Sequence, residues 1–171
     1  MPSVPDYRAT VFATTSVCRS GRNVGRVVYW KLYAIENYYR VLLHSILSVQ
    51  VSSSWWQLAV DQKIQSKALN FRQQYTARPW HTNPGSHDIY YLDLRDLNEI
   101  ARANSNLLQP IILDIDAWIA KVESIRLPRN IVAHMNFPNS RDKARIEIVY
   151  TDFENLMSML VASANINFQV P

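Results

Sequence analysis

Residues 24–49, VGRVVYWKLYAIENYYRVLLHSILSV, are the stretch from which the fold class of this chain is predicted. Apolar side chains recur there at steps of three and four residues, which is the period of an α-helix. They form one stripe: Val28, Leu32, Ile35, Tyr39, Leu42, Ile46 and Val49. Trp30, Tyr33, Tyr38 and Leu43 flank this stripe, so the helix is apolar on more than one side. We expect it to be central in a bundle or to carry a partner surface.

The helical period continues on both sides of a central loop at residues 79–85, PWHTNPG. Before the loop, the serines at 52–54 offer caps for a second helix that runs to about residue 77. After it, the pattern predicts helices at residues 90–104, 110–125 and 153–164, the last capped by Asp152. Residues 145–150, RIEIVY, alternate in polarity and predict a short extended segment. The predicted fold is all-α, a single domain over residues 1–171 built as a bundle of four to five helices.

The composition excludes several classes of protein. Hydrophobic residues make up 48% and charged residues 19% of the chain, which supplies a core. With 3 glycines and no glycine-rich phosphate motif, dinucleotide-binding and P-loop folds are excluded. The single cysteine, Cys18, excludes an intramolecular disulfide and predicts a reducing compartment, which we take to be the cytoplasm. No apolar run approaches the ~20 residues that cross a bilayer, so we expect no membrane partner.

Basic residues are concentrated near the start of the chain, within an overall net charge of +4. Residues 1–23 form a basic N-terminal lead-in, in which Asp6 is the one acidic residue. An excess of base permits a polyanionic partner. We predict that Arg8, Arg19, Arg22 and Arg26 contribute sequence-independent affinity for phosphates, with a solvated surface as the alternative.

Residues 129–136, RNIVAHMN, carry the side chains best suited to chemistry. Asn130 and His134 are four residues apart and share a helix face, whereas Arg129 lies about 140° round from His134, within reach of its long side chain. Pro128 predicts a helix restart that leaves amide donors unpaired beside Arg129. Arg126 adds a further cation one turn upstream, which we assign to RNA binding. A proton shuttle beside a fixed cation is what phosphodiester cleavage by a neighbouring 2′-hydroxyl requires.

This stretch resembles the motif of the HEPN superfamily, small all-helical domains marked by R-x(4–6)-H with a polar residue, often Asn, after the arginine. Arg129, Asn130 and His134 match that motif in order and spacing. Residues 29–47 look like the long first helix of the family, with Glu36 as its acidic residue and Arg40 one turn later. Residues 91–100, YLDLRDLNEI, resemble its short helix, so the resemblance spans about residues 24–165.

The resemblance implies a HEPN-like domain that acts as an endoribonuclease without metal or cofactor. Members are usually homodimers in which two motifs face each other across a composite cleft. Carried over, His134 would be the general acid and base, Arg129 the phosphate ligand and Asn130 the orienting group. Glu36 would support these residues without contacting the substrate itself. The resemblance also implies a toxin or anti-phage defence effector, with RNA as substrate and an antitoxin or regulatory protein as a further partner.

Two alternatives stay open beside the enzyme. A HEPN domain can act as a non-catalytic interaction or nucleotide-binding module, although such a module has no need of a histidine proton shuttle. An unrelated helical scaffold with a chance motif would bury His134 away from Arg129. The sequence also departs from the family twice: Asn136 stands where some family toxins have tyrosine, and the motif does not call for Pro128.

Other candidate residues are weaker. His81 and His87 lie six residues apart on either side of Pro84 and Gly85, and without a nearby cysteine a solvated loop is favoured, so we assign no metal site. His44 lies on an apolar helix and is expected to be structural. The pair at 55–56 and Trp80 have rings that can stack on bases, although a core position is favoured for Trp56, which follows its helical stripe.

Overall fold

The computed structural model of the chain describes residues 14–163 and 166–171, and all regular structure in those ranges is helical. The elements are α1 (Thr14–Val24), a π-helical segment (Gly25–Tyr29), α2 (Trp30–Gln50), α3 (Trp55–Ala59), α4 (Gln62–Thr76), a 3₁₀ turn (Asp88–Tyr91), α5 (Leu94–Ala103), α6 (Ser105–Leu108), α7 (Ile115–Ser124), α8 (Arg126–Ala133) and α9 (Ser140–Ala162). The all-α prediction is confirmed. None of the helices in these ranges has the length and apolarity needed to cross a membrane.

The described part of the chain has seven helices of eight or more residues, not the four to five predicted. The extra helices are α1, which lies in the predicted lead-in, and α8, which follows α7 directly; residues 1–13 of the lead-in, which include Arg8, fall outside the described ranges. A second difference is the break between α3 and α4, where Val60 is extended and the Asp61 side chain accepts a hydrogen bond from the Lys63 amide at 2.8 Å. This N-cap starts a new helix, so the predicted continuous helix is split.

The predicted extended segment at residues 145–150 is wrong, because these residues lie inside α9. A run of six alternating residues is compatible with both the period of a strand and the period of a helix, and the residues on either side of it decide which one forms. Ile146, Val149 and Phe153 are all buried and follow steps of three and four, which only a helix places on one face.

The start of α9 is set by a capping box, which the sequence prediction placed too late. The Asn139 side chain accepts a hydrogen bond from the Asp142 amide at 2.9 Å, and the Asp142 carboxylate accepts one from the Asn139 amide at 3.3 Å. Asp152, the predicted cap, lies within the helix and forms an ion pair with Lys121 at 2.7 Å.

The central position predicted for α2 is confirmed. This helix packs against α9, α5, α6 and α3. Six of the seven residues in the predicted stripe are buried, namely Val28, Leu32, Ile35, Tyr39, Leu42 and Ile46. Val49, at the end of the helix, is 67% exposed. Tyr39 also donates a hydrogen bond to Asn98 Oδ1 at 3.0 Å, which ties α2 to α5 inside the core.

Helix α8 is short, with a defined break at each end. Ile125 separates it from α7, and Pro128 lies in its first turn, where the missing amide costs no helical hydrogen bond. At the other end, the Met135 amide donates to Val132 O at 3.0 Å and the Asn136 amide donates to Ile131 O at 2.9 Å. This is a Schellman motif, and it holds Met135 at φ 59°, in the left-handed region.

We expect Met135→Gly to raise the free energy of unfolding by about 0.5–1 kcal/mol, because glycine removes the Cβ clash at positive φ at some cost in chain entropy. The Met135 side chain is 91% exposed, so its removal leaves no cavity. Urea denaturation measures the change. Met135→Ala is the matched control, since it shortens the side chain but keeps the Cβ. A gain equal in both variants would contradict the backbone explanation.

Candidate catalytic site

A cavity of about 350 Å³ lies between the N-terminal half of α2 and helix α8. Its wall combines three tyrosines with three charged side chains: Tyr29, Tyr33, Tyr90, Glu36, Arg40 and Arg129. The volume is in the range of small-molecule sites, which are commonly lined by aromatic rings with a few convergent polar groups.

Glu36 joins the two arginines of this cavity. Its Oε1 accepts a hydrogen bond from Arg40 Nη2 at 2.5 Å, and its Oε2 lies 3.5 Å from Arg129 Nη2. The carboxylate therefore holds Arg40 closely and Arg129 at the limit of a hydrogen bond. The structure places Glu36 directly against the first residue of the motif.

Arg40 is a buried structural cation. It is 8% exposed and donates from Nη2 to Leu92 O at 2.8 Å, from Nε to Ile89 O at 3.3 Å and from Nη1 to Asn37 Oδ1 at 3.2 Å. Its donors are used to tie the 3₁₀ turn to α2. Of the two arginines at Glu36, Arg129 is consequently the one suited to a ligand.

The structure separates the three motif residues into two positions. The Arg129 side chain lines the cavity and is 29% exposed, whereas Asn130 and His134 lie outside the cavity wall. Asn130 is half-buried in α8, and its carbonyl accepts the His134 amide at 3.0 Å. His134 is the C-cap of the helix and is exposed. The scaffold alternative requires His134 to be both buried and remote from Arg129. In the structure His134 is exposed, and it lies off the cavity wall that Arg129 lines.

The backbone at Arg129 differs from the prediction. Helix α8 begins at Arg126, and the Arg129 amide donates to Ile125 O at 2.8 Å. The amide of Arg129 is therefore paired within the helix, and the predicted open donor is absent at this residue. Phosphate binding at this position depends on the guanidinium.

The predicted RNA-binding arginines face solvent. Arg19 and Arg22 are exposed on α1, and Arg26 is exposed in the π-helical segment. Arg126 is also exposed, and it forms an ion pair with Glu123 one turn earlier, which offsets its charge. None of these four arginines lines the cavity at Arg129.

The two histidines considered as metal ligands occupy different environments. His81 is exposed, whereas His87 stacks on Trp55 with ring centroids 5.4 Å apart and contacts His44 at 5.1 Å. Among the described residues, no group of three or more potential ligands is close enough to hold a metal ion. His44 Nδ1 accepts a hydrogen bond from Trp55 Nε1 at 3.2 Å, which agrees with its expected structural role.

We expect the free energy of unfolding to fall as the pH drops below 6.5, the ordinary pKa of histidine. Burial lowers the pKa of both His44 and His87, so the unfolded chain takes up more protons than the folded one in that range. His44 and Arg72 also lower the pKa of His87, while Asp88 raises it. Both Nδ1 atoms accept hydrogen bonds that a protonated ring cannot accept.

Urea denaturation at several pH values measures this effect. His87→Asn is the informative variant, since an asparagine oxygen can still accept the Ile89 amide while its side chain does not titrate. The loss of stability on acidification should be smaller in His87→Asn than in the original protein. An equal loss in the two proteins would assign the acid sensitivity to other groups.

The sequence analysis missed the three tyrosines of the cavity. Tyr29, the last residue of the π-helical segment, is 60% exposed, and Tyr33, four residues later on α2, is 65% exposed. The four-residue spacing of these two tyrosines was the signal that the sequence offered for the cavity wall. Tyr90 enters from the 3₁₀ turn, where no periodicity marks it.

Comparison with known proteins adds no relative: no family model, no curated protein and no solved structure matches this chain significantly.

Proposed function

We propose that this protein is a metal-independent endoribonuclease of the HEPN type, which cleaves RNA through attack of the neighbouring 2′-hydroxyl. The observation that carries the proposal is the position of Arg129, whose side chain lines a cavity while Glu36 lies 3.5 Å from it. His134 ends the same helix and is exposed. A single helix thus presents a cation and a proton-transfer group within five residues of each other.

The proposed reaction needs one proton shuttle and one anion ligand. His134 accepts the proton of the 2′-hydroxyl, the 2′-oxygen bonds to phosphorus, and the bond to the 5′-oxygen breaks as that oxygen receives the proton back from the protonated His134. Arg129 donates to the non-bridging oxygens, whose negative charge grows in the phosphorane. Asn130 orients these groups. The products are a 2′,3′-cyclic phosphate and a 5′-hydroxyl.

A homodimer forms part of the proposal. Tyr29 and Tyr33 are large, exposed rings that line the same cavity as Arg129. A second copy covering them would bury apolar surface and bring two Arg129–His134 sets into one cleft. The cellular role we propose is that of a cytoplasmic toxin or anti-phage defence effector, controlled by an antitoxin or another regulatory protein.

The test is incubation of the purified protein with total RNA in EDTA. We expect fragments that carry 2′,3′-cyclic phosphate ends, or the products of their hydrolysis. A deoxyribonucleotide strand of the same sequence is the control and should stay intact, because it lacks the attacking hydroxyl. Cleavage that requires added magnesium, or that also cuts the deoxy strand, would contradict the proposed chemistry.

The cavity also supports a second candidate, the non-catalytic nucleotide-binding module. Three tyrosine rings beside Arg129 are suited to a base and a phosphate, and they need no histidine. Equilibrium dialysis with nucleoside monophosphates distinguishes the two. Binding that is lost in Arg129→Ala, together with no cleavage of any RNA, would favour the module over the enzyme.

A further inference from the structure

The C-terminal end of α4 and the residues after it carry a surface that the proposed catalytic site does not use. Two shallow cavities of about 690 and 460 Å³ lie there and share Gln74 and Arg78 in their walls. Trp80 lines the larger cavity, and three other rings line the smaller one. We call this surface the aromatic face and define it as Phe71, Tyr75, Arg78, Trp80 and His81.

Three rings of the aromatic face are exposed to solvent. Trp80 is 75% exposed, and Phe71 and Tyr75 are 41% and 38% exposed. The helical period places the last two on the inward stripe of α4, yet burial on that stripe ends at Ala68. The ring of Trp80 lies beside that of His81, with centroids 6.2 Å apart. Large rings grouped in this way on a surface indicate a binding site.

The charge of the aromatic face suits an anion. The residues that line the two cavities include Arg78 and His81 and no acidic residue. Arg78 uses Nη1 to donate to Gln74 O at 2.9 Å, which leaves most of its five donors for other partners. Side-chain amides complete the walls and bring both donors and acceptors. The face therefore combines flat rings, hydrogen-bonding edges and positive charge.

We propose that the aromatic face binds single-stranded RNA, with one base stacked on Trp80 and Arg78 against a phosphate. Unpaired bases are the ligand whose flat, hydrogen-bonding and anionic parts match these residues, whereas the bases of a duplex are stacked on each other and out of reach. The choice of RNA over other single strands rests on the proposed ribonuclease function. The face itself shares no residue with the cavity at Arg129.

The test uses the full chain and a fluorescein-labelled 2′-O-methyl oligouridylate of about 12 nucleotides, a length within the range of single-strand sites. The methyl groups prevent cleavage, so binding is measured alone. Fluorescence anisotropy should show Trp80→Ala raising Kd about tenfold, the effect of losing one stacked base, and Trp80→Phe retaining most of the affinity. Arg78→Gln should weaken binding and lower its dependence on salt.

Matched controls are available elsewhere on the surface. Leu113 is 84% exposed, and Leu113→Ala should leave Kd unchanged, as should Arg102→Gln at an exposed arginine of α5. Ultraviolet cross-linking followed by mass spectrometry should locate the oligonucleotide on the peptide that contains Trp80. An unchanged Kd in Trp80→Ala would overturn the inference. The same result is expected if the aromatic face binds a protein partner instead of RNA.

The two proposals fail separately. If the original protein cleaves RNA in EDTA but Trp80→Ala binds the oligonucleotide normally, only the aromatic face is refuted as an RNA site. If Trp80→Ala loses binding while no RNA is cleaved under any condition, the ribonuclease proposal is the one refuted.

Discussion

His134→Ala and Arg129→Ala should each lower the rate of RNA cleavage by ~10²-fold or more, because general acid–base catalysis and electrostatic stabilisation are each worth about that much. Arg129→Lys should not restore the rate, since an ammonium cannot make the planar two-pronged contact of a guanidinium. Asn130→Ala should have a smaller effect, since the orienting group neither carries the proton nor binds the phosphate. Single-turnover cleavage of a labelled RNA measures all four variants.

These variants should remain folded, which separates a catalytic loss from a structural one. His134 is exposed, and in Arg129→Ala the Glu36 carboxylate keeps its contact with Arg40. Thermal unfolding should therefore shift little. Arg95→Met, at an exposed surface pair with Glu99, is the control and should cleave normally. Normal cleavage in His134→Ala, or a large loss of stability in both His134→Ala and Arg129→Ala, would refute the proposed site.

Arg40→Met should lower the free energy of unfolding by about 3–5 kcal/mol, the typical cost of removing one partner of a buried ion pair. The substitution leaves the carbonyls of Ile89 and Leu92 without their donor and removes the closer of the two cations at Glu36. Methionine fills a similar volume, so the loss reports on polar groups left unpaired more than on packing. Urea denaturation measures it.

The chain provides a matched surface pair. Arg95 and Glu99 have the same residue types four positions apart on a helix, but the Arg95 side chain is 73% exposed. Arg95→Met should cost no more than about 0.5 kcal/mol, because water solvates both charges when they separate. Equal losses in the two variants would mean that Arg40 contributes only what a surface ion pair contributes.

The sequence predicted the parts of the fold that depend on long, periodic helices, and it failed where local hydrogen bonds decide. The stripe of α2 was correct because a helix with many apolar turns has no competing period. Residues 145–150 were assigned wrongly because their alternation also fits a strand, and the start of α9 was predicted too late because its cap is Asn139 and not Asp152. The break at Asp61 likewise depends on one side-chain cap.

The candidate site was predictable in its residue types but not in its arrangement. The motif spacing placed Arg129 and His134 on one helix, and the structure has Arg129 within α8 and His134 as the C-cap of that helix. Arg129 lines the cavity wall, whereas His134 lies at the exposed end of the helix. This difference depends on how α8 packs beside α2, and tertiary packing of that kind cannot be predicted from the local sequence pattern. The tyrosines missed by the sequence analysis have the same origin, since exposure on α2 depends on which helices cover it.

The π-helical segment at Gly25–Tyr29 has a consequence for how the chain can change in evolution. A π-helical turn holds one residue more than the α-helical turn it replaces, so it rotates everything before it by about 100° around the helix axis. Arg19 and Arg22 thus owe their direction to a single extra residue. Loss of Gly25, which does not line the cavity, would turn Arg19 and Arg22 to another side while leaving Tyr29 and α2 in place. A one-residue deletion here would change the direction of both arginines together, whereas the substitution of a single arginine would not.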